Sequence, residues 1–308
     1  MRAACSLWML VLCAVVGVPR TAQADAAEEA MRVADIAAQY RAGDYAKAAD
    51  QARKFLGSAR DPDSITEARR VLAESLRKQG LWRPAAGAYT ALARACEKGS
   101  EEALRHEAIG DVLASNVNGV YKPALADGEK RKLSDDDALK AALVKWAAFR
   151  CGRFKSHCAR LIRARTPHAV VAVVKPAAEE ARGIFVVAPE VTPDGPREFA
   201  KEAGAKLAQI HGGVAATLRG KLSRYNKKME VPWSFTNVEK QDIKKTSDLC
   251  KQMAQAEEVF QECLADLVGN GEWAEADTLR SESSERQSVY NQFATQYVVP
   301  AYDIDYIF

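Results

Sequence analysis

Apolar residues recur along the chain three and four positions apart, the spacing of amphipathic helices. One stripe consists of Ile65, Ala68, Leu72 and Leu76. The next predicted helix carries a second stripe, Ala85, Tyr89, Leu92 and Cys96. A helix of about 13 residues is marginal alone in water, so each helix must bury its stripe against a neighbour. The pattern therefore predicts paired helices and places Cys96 in the core.

These helices are separated by a recurring break, a glycine followed two positions later by an aromatic residue. The breaks are Gly43–Tyr45, Gly80–Trp82, Gly119–Tyr121 and Gly152–Phe154, at intervals of 37, 39 and 33 residues. Five positions after the glycines stand Ala48, Ala85, Ala124 and His157. Glycine accepts the left-handed conformation that ends a helix, and alanine lets two helices cross closely. A period in this range predicts stacked helical hairpins.

Two stretches resemble the tetratricopeptide repeat family. GDYAKAADQARKFL (43–56) is similar to the turn and second helix of a repeat, and VLAESLRKQGLWRPAAGAY (71–89) to a fuller unit. The resemblance covers residues 28–165, weakens in the third unit and departs from the family pattern at His157. It implies a helical solenoid whose concave groove binds peptides or protein segments, and members of the family are not usually enzymes.

The C-terminal half predicts longer helices. Thr166–Pro167 is typical of a helix start, and HAVVAVVK (168–175) fits either a helix or a strand. We favour a helix bent at Pro176, since the following residues are too few for a crossover between parallel strands. APEVTPDGP (188–196) predicts a loop, and residues 197–229 a helix kinked at Gly212–Gly213.

Residues 238–298 predict a long antiparallel helical hairpin. Thr236 and Glu239 have the spacing of a capping box, and Gly271–Trp273 repeats the glycine–aromatic break. Cys263 lies in the coiled-coil-like seam and is expected in the core. The same seam could mediate self-association through Leu249, Met253, Phe260 and Leu267. The fold class is all-α, with a helical repeat domain at 25–165 and a C-terminal helical domain at 166–308.

Residues 1–24 read as a secretory signal peptide. Arg2 precedes the apolar run SLWMLVLCAVVGV (6–18), which is shorter than the roughly 20 residues that span a bilayer. Ala22 and Ala24 occupy the small positions of a cleavage site, so cleavage after Ala24 is expected. A secreted or periplasmic protein is predicted, and an uncleaved anchor is the alternative.

Net charge argues against a nucleic-acid partner. The chain has 44 basic and 41 acidic residues, and the leader carries Arg2 and Arg20 but no acid, which leaves +1 after cleavage. A nearly neutral protein has little field to attract a polyphosphate. No segment after the leader is apolar enough to predict a membrane span.

No cofactor and no metal site are predicted. Five cysteines remain after the leader, and no CxxC pair suggests zinc. Cys151 and Cys158 flank a predicted turn and could form a disulfide, although unpaired thiols are favoured. The histidines are scattered. Asp135, Asp136 and Asp137 suit the positive end of a helix dipole, with a calcium site as the sharper alternative.

The predicted site is the concave face of the solenoid. Aligning the repeats brings six residues toward it: Tyr40, Arg70, Glu74, Arg77, His106 and Asn116. They would contact a protein or peptide partner of a non-catalytic scaffold or adaptor in the cell envelope. The alternatives are an all-helical envelope enzyme that acts on polysaccharide in the same groove, and a structural oligomer. No motif for nucleophilic, metal-dependent or phosphate chemistry is present.

Overall fold

The chain is all-α. The computed structural model describes residues 20–118, 132–229, 235–269 and 271–302, in which there is no strand. None of the helices in these ranges has the length and apolar character needed to cross a membrane. Two compact units divide the described residues, one ending at Ala142 and the other beginning at Leu143. This division falls inside a helix, and the predicted domain start at 166 stays a prediction.

The first unit consists of short helices joined by tight turns. They are α1 (Arg20–Arg41), α2 (Tyr45–Leu56), α3 (Pro62–Lys78), α4 (Trp82–Ala93), α5 (Glu101–Asn118) and the start of α6 (Asp135–Gly152). Each of α1 to α4 packs on the helix that follows it, and α1 also packs on α3. Helix α1 includes residues 20–24 of the predicted leader, whose cleavage stays a prediction.

The first two glycine breaks have the predicted backbone. Gly43 and Gly80 have φ of 84° and 70°, the left-handed region that ends a helix. The alanines five positions later, Ala48 and Ala85, are completely buried. Asp44 also caps α2, because its side chain accepts a hydrogen bond from the Lys47 amide. Glycine and alanine thus form two turns of one kind, whereas the third break lies outside the described residues.

The fourth break has a different structure. Gly152 is the last residue of α6 and does not have a positive φ, so the left-handed turn expected there is wrong. Helix α7 (Phe154–Arg163) begins after Arg153 alone. His157 is buried at the position of the alanine, and its Nε2 lies 2.9 Å from Glu180 Oε2. A polar contact there replaces the close helix crossing that alanine gives.

The second unit contains the short helix α7 and the longer helices. The longer helices are α8 (Pro167–Val187), α9 (Asp194–Met229), α10 (Asn237–Val268) and α11 (Ala274–Tyr302). The stretch HAVVAVVK lies in α8, so the preference for a helix over a strand is confirmed. Thr166 caps α8 and Pro167 opens it, as predicted, and Pro176 lies inside the helix without ending it. Helix α9 continues through Gly212 and Gly213.

Helices α10 and α11 pack along each other, and α8, α9 and α11 together cover α10. The capping box of α10 is confirmed: Thr236 and Glu239 exchange side-chain and backbone hydrogen bonds. The seam residues Met253, Phe260 and Leu267 are fully buried, and Leu249 is half-buried. The prediction that this seam mediates self-association is therefore wrong, because the chain's own helices already cover it.

The five cysteines in the described part of the chain are unpaired thiols. All five lack a disulfide, so the favoured alternative for Cys151 and Cys158 agrees with the structure. Cys96 and Cys263 are half-buried and are not among the buried core residues, so the prediction of a core position is wrong for both. Cys96 follows the end of α4, in the connection to α5, where its helix stripe has already ended.

Candidate functional site

Four of the six predicted groove residues lie close together in the first unit. Arg70, Glu74 and Arg77 share one side of α3 through their spacing of four and three residues, and Tyr40 projects from α1. Because α1 packs on α3, Tyr40 lies within electrostatic range of Glu74. We call Tyr40, Glu67, Arg70, Glu74 and Arg77 the α1–α3 face.

Glu74 is the centre of this face. The Tyr89 hydroxyl donates to Glu74 Oε1, and the Arg77 guanidinium donates to Oε2 from Nη2 at 2.9 Å and from Nε at 3.1 Å. Tyr89 is completely buried; burial raises its pKa, and the charge of Glu74 raises it further. Both oxygens of Glu74 are thus held by groups that stay protonated at neutral pH, which fixes the carboxylate in place.

Arg77 holds the end of α3 to the start of α6. Its side chain is only 6% exposed, and Nη1 lies 2.9 Å from Asp135 Oδ2. Burial alone would lower the pKa of Arg77, but the charge of Glu74, its hydrogen bond with Arg77 and the charge of Asp135 outweigh that effect and raise it. Lys78 also contacts Asp135 and Asp136. Asp135 and Asp136 therefore belong to an ion-pair network with Arg77 and Lys78. Arg77 has little exposed surface with which to contact a ligand.

Arg70 and Tyr40 form the accessible part of the face. Arg70 pairs with Glu67, and the two side chains remain 43% and 39% exposed. The hydrogen bond from Arg70 lowers the pKa of Glu67. Tyr40 is half-buried, with its ring 5.5 Å from that of Tyr45, and burial and the charge of Glu74 raise its pKa. The face therefore offers solvent an aromatic ring beside an exposed ion pair.

His106 is placed differently from the other predicted residues. Its ring centroid lies 5.9 Å from that of Tyr89, so it reaches the face only through that tyrosine. Its Nε2 lies 3.4 Å from Glu102 Oε1. The side chain of Asn116 lies outside the described part of the chain.

Sequence reasoning missed a cluster of potential metal ligands. The cluster consists of Cys96, Glu102 and His106, and one ligand atom of each lies within 4.8 Å of the other two. It is the one group of this kind among the described residues. Burial raises the pKa of the Cys96 thiol, and the charge of Glu102 adds to this. The spacing of Glu102 and His106, one helical turn apart, is a usable signal, but the apolar stripe predicts Cys96 in the core and so gives no reason to group it with them.

The second unit contains a cleft of about 480 Å³ lined by cysteines. Cys151, Cys158, Lys155, Asp194 and Glu198 contribute to its walls. Burial raises the pKa of Cys151 to about 11, and burial also raises that of Cys158. Reactive cysteines need a lowered pKa because the thiolate is the nucleophile. These thiols are therefore protonated at neutral pH and unsuited to covalent catalysis.

Two carboxylates elsewhere in the second unit are held by the protein's own side chains. Glu257 is completely buried and accepts from Arg286 Nε at 2.7 Å and from Ser283 Oγ at 2.7 Å. Glu180 pairs with Arg150 at 3.1 Å in addition to His157. Such networks specify how helices pack. His157 Nδ1 is buried without a hydrogen-bond partner among the described residues.

Comparisons of the chain with models of protein families, with curated proteins and with solved structures found no match.

Proposed function

We propose that the chain is an exported helical-repeat protein that binds a protein or peptide segment without catalysing a reaction. It would act as a scaffold or adaptor in the cell envelope, with the first unit as a short solenoid of tetratricopeptide-like hairpins. The observation that carries the proposal is the α1–α3 face, where the first helices of two successive hairpins pack side by side and expose Tyr40 and the Arg70–Glu67 pair.

Two features support a repeat architecture. The turns at Gly43 and Gly80 share a left-handed glycine, and a completely buried alanine follows each at the same distance. Two copies of one turn give α1 and α3 equivalent places in successive hairpins. In tetratricopeptide-like proteins, the equivalent helices line the groove that receives the partner.

The charges of the face favour binding over hydrolysis. A glycosidase needs a carboxylic acid of raised pKa to protonate the leaving group. Glu67 has a lowered pKa, and both oxygens of Glu74 are engaged by Tyr89 and Arg77. A fixed carboxylate, an exposed ion pair and an aromatic ring suit a peptide that carries charges of both signs and an apolar side chain.

Charge reversal on the face tests this proposal. The immobilised full chain is incubated with envelope extract from the cells that produce it, and retained proteins are identified and their affinities measured. We expect Arg70→Glu to weaken retention of a specific partner at least about tenfold, a loss of about 1.4 kcal/mol. Arg53→Glu on the exposed side of α2 is the matched control and should bind normally. Equal retention by both variants would contradict the proposal.

A further inference from the structure

The connection between α4 and α5 brings three residues of metal-binding chemistry together. Cys96 lies in this connection, and Glu102 and His106 lie one turn apart in the first two turns of α5. Each side chain offers one ligand atom, and no two of these three atoms are more than 4.8 Å apart. None of the three takes part in the ion pairs of the α1–α3 face.

These distances are close to those of a tetrahedral site. Metal–ligand bonds of 2.0–2.3 Å at tetrahedral angles place the ligand atoms about 3.3–3.8 Å from one another. His106 Nε2 and Glu102 Oε1 are already 3.4 Å apart. Glu102 is 62% exposed, so its carboxylate can rotate toward the other two ligand atoms.

His106 lacks the hydrogen bonds that usually hold a structural histidine. Its side chain is only 13% exposed, and Nδ1 is buried without a hydrogen-bond partner among the described residues. Its Nε2 meets Glu102 at a distance that makes at best a weak hydrogen bond. The Tyr89 ring supports the imidazole from one side. Packing thus fixes the ring, while its two nitrogens make at most one weak hydrogen bond to the described residues.

We propose that Cys96, Glu102 and His106 bind a divalent ion of the zinc class. Thiolate, imidazole and carboxylate are the three ligand types that zinc takes in proteins, and the thiolate disfavours calcium and magnesium. The two negative charges of Cys96 and Glu102 balance the ion. Three protein ligands leave a fourth position for water, which enters from a cleft of about 440 Å³ that Cys96 also lines.

Cobalt(II) titration of the purified, reduced full chain tests this site. Cobalt follows zinc chemistry and reports a bound thiolate through its charge-transfer absorption in the near ultraviolet, and tetrahedral geometry through intense visible bands. We expect one cobalt per chain with both signals, and their loss when one equivalent of zinc is added. Absence of the thiolate band, or binding through oxygen and nitrogen alone, would overturn the proposal.

Matched variants locate the ion. Cys96→Ser should abolish the charge-transfer band, and Glu102→Gln and His106→Gln should each weaken binding by more than the 10–100-fold that loss of an outer-shell partner costs. Cys158→Ser and His168→Gln remove a half-buried thiol and an exposed imidazole in the second unit, and should bind cobalt like the parent chain. Far-ultraviolet circular dichroism establishes that every variant is folded. A band that persists in Cys96→Ser, or that disappears equally in Cys158→Ser, would contradict the assignment.

Discussion

At the residue scale, the α1–α3 face depends on how Glu74 is held. Tyr89 lies on α4 and Arg77 on α3, so the carboxylate connects two helices as well as orienting the face. A hydrogen bond to a charged acceptor contributes more to stability than one between neutral groups. Removing either donor should therefore lower the free energy of unfolding.

Replacing Tyr89 by phenylalanine tests this directly. The ring and its packing are kept while the donor to Glu74 is lost, so we expect the free energy of unfolding to fall by about 1–3 kcal/mol. Urea denaturation followed by circular dichroism measures the change. Tyr40→Phe is the control, since its hydroxyl makes no hydrogen bond among the described residues, and its effect should stay below about 0.5 kcal/mol. Equal effects would mean that the Tyr89 hydroxyl contributes nothing specific.

Helical spacing is the sequence signal that indicates which of these residues lie on one side of a helix. Arg70, Glu74 and Arg77 come together because a helix places positions four and three residues apart on one side. Spacing carries no information about burial, so nothing indicated that Arg77 would be enclosed by Glu74, Asp135 and Asp136. The apolar stripe indicates that Tyr89 faces the core. The partner of its hydroxyl, Glu74, lies on another helix, and the pattern of a single helix cannot predict it.

At the element scale, turns and caps determine where the helices begin and end. Thr166, Thr236 and the glycines at 43 and 80 act through hydrogen bonds and backbone angles within a few residues, which is why sequence predicted them. The end of α6 at Gly152 depends instead on how its neighbours pack. A Cβ on nearby Gly195 would lie 2.2 Å from the Cys151 carbonyl oxygen, a close approach that no local pattern reveals.

Alanine at Gly80 should destabilise the chain through its backbone alone. A Cβ there meets no atom within 4 Å, but φ is 70°, so the cost is the left-handed conformation, about 1–2 kcal/mol. Gly87 lies inside α4, also has open space, and does not have a positive φ. Gly87→Ala should therefore stabilise by about 0.5–1 kcal/mol. Urea midpoints of the two variants should move in opposite directions, and a shift in one direction for both would disprove this reading of the turn.

The cap of α10 predicts a pH-dependent contribution to stability. The hydrogen bond from Lys228, followed by that from the Thr236 amide, lowers the pKa of Glu239 to about 2 from an ordinary 4.5. A carboxyl whose pKa is lower in the folded than in the unfolded state stabilises fully above the unfolded value. That contribution is lost as the pH falls from about 4.5 toward 2.

Glu239→Gln should accordingly lower the melting temperature near neutral pH, and its difference from the parent chain should shrink as the pH falls through this window. Thermal unfolding between pH 7 and pH 2 gives the comparison. Glu258→Gln removes the same charge from an exposed position of α10 and provides the control. A Glu239→Gln deficit that is unchanged at pH 2 would show that the carboxylate's ionisation is not what stabilises the cap.

At the scale of the whole molecule, the proposed function rests on one surface of the first unit. In the second unit, Met253 and Phe260 of the apolar seam are buried between the long helices. Glu257 is also buried there and is paired with Arg286, so these residues stabilise the packing of that unit. Sequence indicated the all-α class and the paired helices because amphipathic periodicity alone determines them. It could not name the occupant of the face, since a groove is defined by surfaces that come from several helices.

Site-specific photo-crosslinking in the cells that produce the chain tests the central claim most directly. A photoreactive amino acid replaces Arg70 on the α1–α3 face or, in a matched variant, Arg53 on the exposed side of α2. On irradiation, the account predicts a discrete crosslinked band containing one protein partner from position 70 and none from position 53. No crosslink from position 70, or the same partner captured from both positions, would contradict it.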